Sequence, residues 1–307
     1  MKVFYNLFNS QKLDKPSNIT IGMFDGIHFG HKKVLNQLKE YPNNLNIVIT
    51  FSNHPSSYFN PDKTYKVLFN QEEKLNFFKE IGIDIVYIIE FNQDIADYPA
   101  NKFVEEILIN KLNCKNLILG YDNRFGKNRE GTIEFVKDHY SNEINSTKIE
   151  PYYLDNEIVS SSIIKDFILQ GMIHKANKFL GFNYFINGQV IKGKELGSKL
   201  GFPTANLSID SNKLIPKIGV YLVKVKLNLQ EYYGLTNIGV RPTVNSNLQD
   251  ISIETHILDF NENIYDSPIQ IEFLSKIREE KKFKSIEELK KQVFDDILYT
   301  KKLISNI

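Results

Sequence analysis

A ten-residue stretch, Gly22-Met23-Phe24-Asp25-Gly26-Ile27-His28-Phe29-Gly30-His31, constrains this chain more than any other. It joins a short apolar run, Ile19 to Ile21, to a helical pattern with Val34, Leu35 and Leu38 on one face. A strand, a glycine-punctuated turn and a helix start form the arrangement in which α/β proteins hold phosphates. Unpaired backbone N–H groups and the positive end of the helix dipole converge on an anion there. His28 and His31 lie three positions apart with Gly30 between them, so both rings can face one phosphate. Two other readings compete. His-x-x-His is half of a zinc site, but zinc takes three or four ligands, and Cys114 is the only cysteine. Two surface histidines without a role would also fit a bare motif, but the adjoining Phe-Asp-Gly argues against that.

Composition narrows the classes. A length of 307 residues suggests two domains. With 42% hydrophobic and 24% charged residues, the chain has the apolar mass of an ordinary soluble protein. Net charge is +1 and the lysines are scattered, so no electrostatic footprint for nucleic acid or membrane is present. No apolar run approaches the ~18 residues of a membrane span, and Met1 to Asn6 lacks the apolar core of a signal peptide. One cysteine excludes an internal disulfide framework and fits a cytoplasmic location.

Along residues 1–182 strand and helix patterns alternate. Strands are expected at Ile19–Ile21, Leu45–Phe51, Ile83–Ile89, Asn116–Leu119 and Lys148–Tyr153, with helices near 31–40, 71–80, 99–112 and 131–140. Short apolar strands separated by helices predict a parallel, Rossmann-like α/β sheet covered on both faces, with ligands at the carboxyl ends of its strands. Ser160 to Leu180 reads as two short helices around Gly171, with Ser160, Ser161 and Ser162 available as N-caps. Residues 183–307 carry strand signals instead: Tyr184–Ile191, Val220–Leu227, Tyr232–Ile238, Ile251–Leu258 and Ile269–Leu274. Regular short strands predict a small antiparallel β-barrel. Ser285 and Glu288 form a capping-box pattern opening a closing helix, with Ile286, Leu289, Val293, Phe294 and Ile297 as its apolar stripe.

The histidine stretch resembles the His-x-Gly-His signature of nucleotidyltransferases. In its longer form it is similar to the adenylyltransferase half of the bacterial bifunctional riboflavin kinase/FMN adenylyltransferase (FAD synthetase) family. Three more segments resemble the same half. Thr50-Phe51-Ser52-Asn53-His54-Pro55 has Asn53 where Pro is usual. Gly120-Tyr121-Asp122-Asn123-Arg124-Phe125-Gly126 has Asn123 where Phe is usual. Val159-Ser160-Ser161-Ser162-Ile163-Ile164-Lys165 has Ser162 for Thr and Lys165 for Arg. Lysine keeps the charge of arginine but loses its bidentate fork. Taken alone, three serines at a helix start are more often a cap than a phosphate site, and their place in the order of motifs reverses that. The resemblance implies that His28 and His31 are catalytic, and that Gly22, Phe24, Asp25, Gly30, Asp122, Arg124, Ser160, Ser161, Ser162 and Lys165 bind ATP.

A second glycine-rich segment runs from Gly188 to Asn206 and ends Gly201-Phe202-Pro203-Thr204-Ala205-Asn206. It is not a Walker loop, because the Gly-Lys-Ser/Thr ending is absent. Glycines alone would suit a hairpin, but Pro-Thr-Ala-Asn resembles the riboflavin kinase signature. The likeness continues through Asn237-Ile238-Gly239-Val240-Arg241-Pro242-Thr243, Glu254-Thr255-His256-Ile257-Leu258-Asp259-Phe260 and Arg278-Glu279-Glu280-Lys281-Lys282-Phe283. It implies Mg-ATP binding by Gly193, Lys194, Gly197, Lys199, Gly201, Pro203, Thr204 and Asn206, with Thr204 and Asn206 toward Mg2+. It also implies Arg278 and Phe283 near the flavin, and Glu254 as catalytic base. A lone glutamate on a strand is more often a solvated residue, so the motif carries that assignment.

The expectation is therefore an enzyme that makes FMN from riboflavin and FAD from FMN, using ATP as co-substrate and Mg2+ as cofactor. Its partners would be small molecules (riboflavin, FMN, FAD and ATP) rather than nucleic acid or membrane. Two alternatives stay open at this level: a riboflavin kinase with a weakened adenylyltransferase domain, and a flavin- or nucleotide-binding regulator without turnover.

Overall fold

Five consecutive buried residues, Ser17–Ile21, form the strand on which the N-terminal sheet is organised. The computed structural model describes residues 1–60, 64–193, 197, 200–241 and 250–305. They fall into two compact units, Met1–Ser161 and Ser162–Ile307.

The first unit holds a six-stranded sheet in the order β1-β4-β3-β2-β5-β6. Its strands are β1 (Lys2–Phe4), β2 (Ser17–Ile21), β3 (Leu45–Phe51), β4 (Ile85–Ile89), β5 (Cys114–Gly120) and β6 (Asn145–Ile149). All pairings are parallel. The chain builds outward from β2 on one side through β3 and on the other through β5. A crevice therefore opens at the carboxyl ends of β2 and β5, where the strand order reverses. Helices α1 (Phe29–Gln37), α2 (Pro55–Phe59), α3 (Gln71–Ile81), α4 (Gln93–Ala96), α5 (Ala100–Lys102) and α6 (Ile133–Tyr140) lie between the strands. A π-helical stretch, Phe103–Lys111, continues α5. One face of the sheet packs Ile19, Ile21, Ile47, Ile49, Tyr87 and Leu117 into the core with Val104, Leu108 and Val136. Every residue of β2 and β4 is buried, as a parallel sheet covered on both faces requires.

At the amino ends of the strands an asparagine row crosses the sheet. Asn18 pairs in register with Asn46 on one side and Asn116 on the other, and Asn116 with Asn145. Asn18 Nδ2 donates to Asn46 Oδ1 (2.9 Å), and Asn116 Nδ2 donates to Asn18 Oδ1 (2.8 Å). Asn18 Nδ2 also donates to Leu38 O and Tyr41 O, satisfying carbonyls at the end of the turn that follows α1.

The second unit opens with α7 (Ser161–Leu169) and α8 (Ile173–Leu180), then forms a closed barrel in the order β10-β13-β12-β11-β14-β9. Its strands are β9 (Phe185–Ile191), β10 (Ala205–Ile209), β11 (Gly219–Leu227), β12 (Gln230–Arg241), β13 (Asp250–Ile257) and β14 (Pro268–Arg278), all paired antiparallel. Closure leaves the barrel without an edge strand. Helix α9 (Ile286–Ile304) follows, capped by Ser285, whose Oγ accepts from Glu288 N at 3.2 Å.

The expected strand Lys148–Tyr153 is displaced. β6 ends at Ile149, and β7 (Tyr153–Leu154) pairs with β8 (Glu157–Ile158) as a separate small hairpin. Helix α9 also departs from its expected stripe. Ile286 and Phe294 are exposed, whereas Asp296 and Thr300 are buried. The buried face is set by a carboxylate that meets Arg278 of β14, not by apolar periodicity alone.

Candidate functional site

The loop between β2 and α1 is strained and held from several sides. Phe24 (φ 50°), Gly26 (φ 87°) and Ile27 (φ 37°) have left-handed backbone, which non-glycine residues keep only where the surroundings over-determine it. The side chains of Phe24, Asp25, Ile27 and His28 are buried. His28 caps α1, its Nδ1 accepting from His31 N at 3.4 Å. The His28 and His31 rings stack with centroids 3.8 Å apart and planes inclined by 20°. A side chain at position 30 would bring a Cβ within 3.2 Å of the His28 ring, so Gly30 leaves room for the stack.

Both imidazoles are neutral at neutral pH. Burial, then the neighbouring His31, pushes His28 down to about 2 against the opposing pull of Asp25. Burial and the Lys74 ammonium push His31 down to about 3. Because His28 Nδ1 accepts a hydrogen bond, its proton sits on Nε2. The Nδ1 of His31 is buried and has no hydrogen-bond partner among the described residues.

His31 lines a cavity of about 740 Å³ at the carboxyl end of the sheet, within the size range of small-molecule sites. Gly22, Phe24, Asp122 and Arg124 of the expected ATP set line it too; Asp25, His28 and Gly30 do not. Asp25 Oδ1 accepts from Leu68 N (2.8 Å) and Phe69 N (3.0 Å), and so ties the loop to the chain before α3. Ser161 Oγ donates to Asp25 O at 2.7 Å. Ser162 and Lys165 belong to the second unit, on α7.

The substituted motif positions have local explanations. Asn123 Nδ2 donates to Ile21 O, bridging the loop after β5 to the end of β2. Asn53 exchanges two hydrogen bonds with the backbone of Phe91, at 2.9 and 2.7 Å. His54 caps α2 and stacks on Tyr65. Nothing in the sequence singles out the aromatic wall of the cavity. Tyr58, Phe59 and Phe91 have mutual centroid distances of 5.2 to 5.8 Å. No periodic signal marks them, because they come from a five-residue helix and a strand-end loop.

In the barrel, one register row gathers the second motif set. Asn206 of β10 faces Glu254 of β13, which faces Asn237 of β12. Asn237 faces Val220 of β11, and Val220 faces Arg278 of β14. The row alternates with the fully buried Tyr221, Thr236 and Thr255, whose two threonine hydroxyls lie 2.8 Å apart. Asn206 is buried and Glu254 half-buried. An added Cβ at Gly193 would fall 2.2 Å from Asn206 Nδ2, so only glycine lets the carboxamide sit there. Phe202 N donates to Gly197 O at 2.8 Å, and Gly201 is left-handed (φ 91°). Pro203 and Thr204 line a second cavity of about 310 Å³ with Phe260 to Tyr265; Asn206 and Glu254 do not. Lys194 and Lys199, like Pro242 and Thr243, lie outside the described residues.

Arg278 donates from Nε to Asp296 Oδ2 (2.9 Å) and from Nη2 to the same carboxylate (2.8 Å), and its guanidinium lies 6.0 Å from the Phe283 ring centroid. Among the described residues no cluster of three or more His, Cys, Asp or Glu could hold a metal, and no helix is long and apolar enough to cross a membrane.

Comparison with known proteins falls on the same two segments. Residues 10–163 match a family model described as FAD synthetase, and residues 180–304 one described as riboflavin kinase. A bifunctional riboflavin kinase/FMN adenylyltransferase of Bacillus subtilis is 34% identical, covering 95% of this chain and 93% of that protein. One from Buchnera aphidicola is 36% identical over the full length of both. A crystal structure described as a macrolide-efflux protein of Streptococcus pneumoniae superposes with a TM-score of 0.89 at 27% identity, covering 97% of this chain and 98% of that one.

Proposed function

The chain belongs to the bifunctional riboflavin kinase/FMN adenylyltransferase family, and from that premise we propose that it converts riboflavin to FMN and FMN to FAD, with a separate ATP site for each step. Along the sequence the activities divide at 182/183. The first reaction belongs to the barrel and the second to the α/β sheet. The observation that carries this reading is the register row that puts Asn206, Glu254, Asn237 and Arg278 on one belt of the barrel, while His31, stacked on the His28 ring, lines a cavity of the other unit.

Riboflavin offers a neutral ribityl hydroxyl. Glu254 accepts its proton as the oxygen attacks the γ-phosphorus of ATP, and ADP leaves. Thr204 and Asn206 present neutral oxygens, which suit a magnesium ion that keeps several waters and shares few protein ligands. That ion would neutralise phosphate charge. Arg278 and Phe283 stand toward the flavin.

Adenylylation needs no general base, because the FMN phosphate is already largely ionised near pH 7. Its oxygen attacks the α-phosphorus of a second ATP, and the bond to the β-phosphate oxygen breaks to release pyrophosphate. Neutral His28 and His31 donate hydrogen bonds to the transferring group without adding a charge, together with amide groups at the start of α1. Gly22, Phe24, Asp122 and Arg124 line the nucleotide's space; Asp25, Gly30 and Ser161 shape the loop. Ser160, Ser162 and Lys165 are assigned to the ATP phosphates by the family resemblance alone. Tyr58, Phe59 and Phe91 offer flat apolar faces to the isoalloxazine. Cytoplasmic ATP and flavin pools suit both steps.

The test is a time course with purified protein, riboflavin, ATP and magnesium, separating flavins by chromatography. FMN rises first and FAD follows. His28→Ala with His31→Ala abolishes FAD formation, at ~10²–10³ in rate per donor, and spares riboflavin phosphorylation. Equal loss of both activities in a folded double variant would refute the division of labour.

A further inference from the structure

Lys74 is a buried cation that neither reaction assigns. From α3 its Nζ donates to Met23 O and to Phe51 O, each at 3.4 Å. Met23 lies in the loop between β2 and α1, and Phe51 is the last residue of β3. The same stretch of chain grips that loop twice more. Leu68 and Phe69 donate to Asp25, and Phe78 packs edge-on against Phe24 (5.6 Å, 86°), which in turn meets the His31 ring at 5.3 Å. The start of α3 is itself fixed by a capping box between Asn70 and Glu73. Burial disfavours an ammonium, and a methionine would fill the same space without that cost. What the ammonium adds is a pair of hydrogen bonds to two backbone carbonyls, Met23 O, which also accepts from Thr50 Oγ1 at 3.4 Å, and Phe51 O.

We propose that Lys74 is a positioning residue of FMN adenylylation: its ammonium holds Met23 against the end of β3 and so fixes the strained loop that presents His28 and His31. The inference rests on the placement of that reaction at the histidine loop. A second effect follows from the same geometry. The groups facing the pair are Phe24, Lys74, Asp25 and Lys32. Of these, the Lys74 charge disfavours a proton on His31, while Asp25 pulls on both His28 and Lys74. Burial does most to keep His31 a neutral donor, and Lys74 adds to it as well as fixing where the ring stands.

The test compares Lys74→Met, which keeps the length and removes the ammonium, with Lys74→Arg, which retains charge and donors. Both are made in the full chain, with riboflavin phosphorylation as the internal control. Lys74→Met should lower kcat for FAD formation by ~10–100-fold, the scale of a displacement of about 1 Å in a reacting group, with KM for ATP within about threefold. Lys74→Arg should recover most of that loss, and kinase turnover should not change in either. Imidazole NMR supplies a readout independent of turnover. The ring-current-shifted signals of the stacked pair should move in Lys74→Met, while those of His139 and His174 stay. Turnover within threefold of wild type with unmoved signals overturns the proposal, as does an Arg variant as slow as Met with both sets of signals unmoved. Should Lys74→Met not fold, Lys74→Leu, which likewise removes both charge and donors, is read in the same way. If the wild-type chain forms no FAD, the reading of the site fails instead, and the NMR comparison still decides whether Lys74 holds the loop.

Discussion

The His31 backbone N–H donates to His28 Nδ1 at 3.4 Å while the two rings stack at 3.8 Å. One hydrogen bond thus sets both the cap of α1 and the tautomer of His28, beside a His31 ring that lines the cavity.

That pair makes the α/β unit acid-sensitive. The folded values of about 2 and about 3 lie well below the ~6.5 of an unfolded histidine. The unfolded chain therefore binds more protons between those limits, and stability rises with pH across that window. Lowering the pH from 6.5 to 5 should remove up to ~2 kcal/mol for each histidine, because both folded values lie well below 5. Calorimetric melts of wild type and of His28→Gln with His31→Gln from pH 7.5 to 5 check this. The wild-type transition of this unit should fall further with acid than that of the double variant, and parallel slopes would count against it.

Glu254 serves only the reaction that must deprotonate a hydroxyl. Glu254→Gln should lower riboflavin kinase turnover by ~10²–10⁴, the usual span for general acid–base catalysis. FAD synthesis from supplied FMN should remain near wild type. Kinase turnover within a few-fold of wild type would remove Glu254 from the mechanism and turn attention to Asp259.

Gly193 has no room for a methyl group, since a Cβ would lie 2.2 Å from Asn206 Nδ2. Gly193→Ala should displace the Asn206 carboxamide and raise KM for Mg-ATP in the kinase reaction by ~10-fold or more. Adenylyltransferase kinetics are the control, and an unchanged kinase KM would show that Asn206 does not touch the nucleotide.

Asp296 is the buried partner that orients Arg278, with Gln292 Nε2 donating to the same carboxylate at 2.8 Å. Breaking such a pair from one side typically costs ~3–5 kcal/mol, because the remaining charge is left without compensation. Asp296→Ala should therefore lower the thermal midpoint of the barrel unit by several degrees and raise KM for riboflavin. A midpoint and a KM both unchanged would mean that α9 contributes nothing to either.

Periodicity carried much of the fold where burial is one-sided or complete. β2, β3, β11 and the helix after His28 could be read because their apolar spacing has a single structural solution. It failed for short elements whose residues are ordinary. β1 is three residues long and is a strand because it pairs with β4. β10, hidden within the Pro-Thr-Ala-Asn segment, is a strand because β9 and β13 flank it. The exposed Phe294 and buried Asp296 of α9 invert an amphipathic reading for the same reason: Arg278 is remote in sequence and decides which face turns inward.

The chemistry on offer is written in residue types and local spacing. Two glycine-bearing motif sets, a histidine pair and one well-placed glutamate were legible as residue types at fixed spacings. Local spacing governs what a loop or helix start can bind. What each group is free to do came from the way the chain folds on itself, and folding left few of them uncommitted. It committed Asp25 to the amides of Leu68 and Phe69, buried Lys74 under the histidine loop, and closed a barrel whose register sets Glu254 between Asn206 and Asn237. Such assignments depend on which distant segments meet, and a hydrogen bond or a neighbouring charge acts across a few ångströms whatever the separation along the chain.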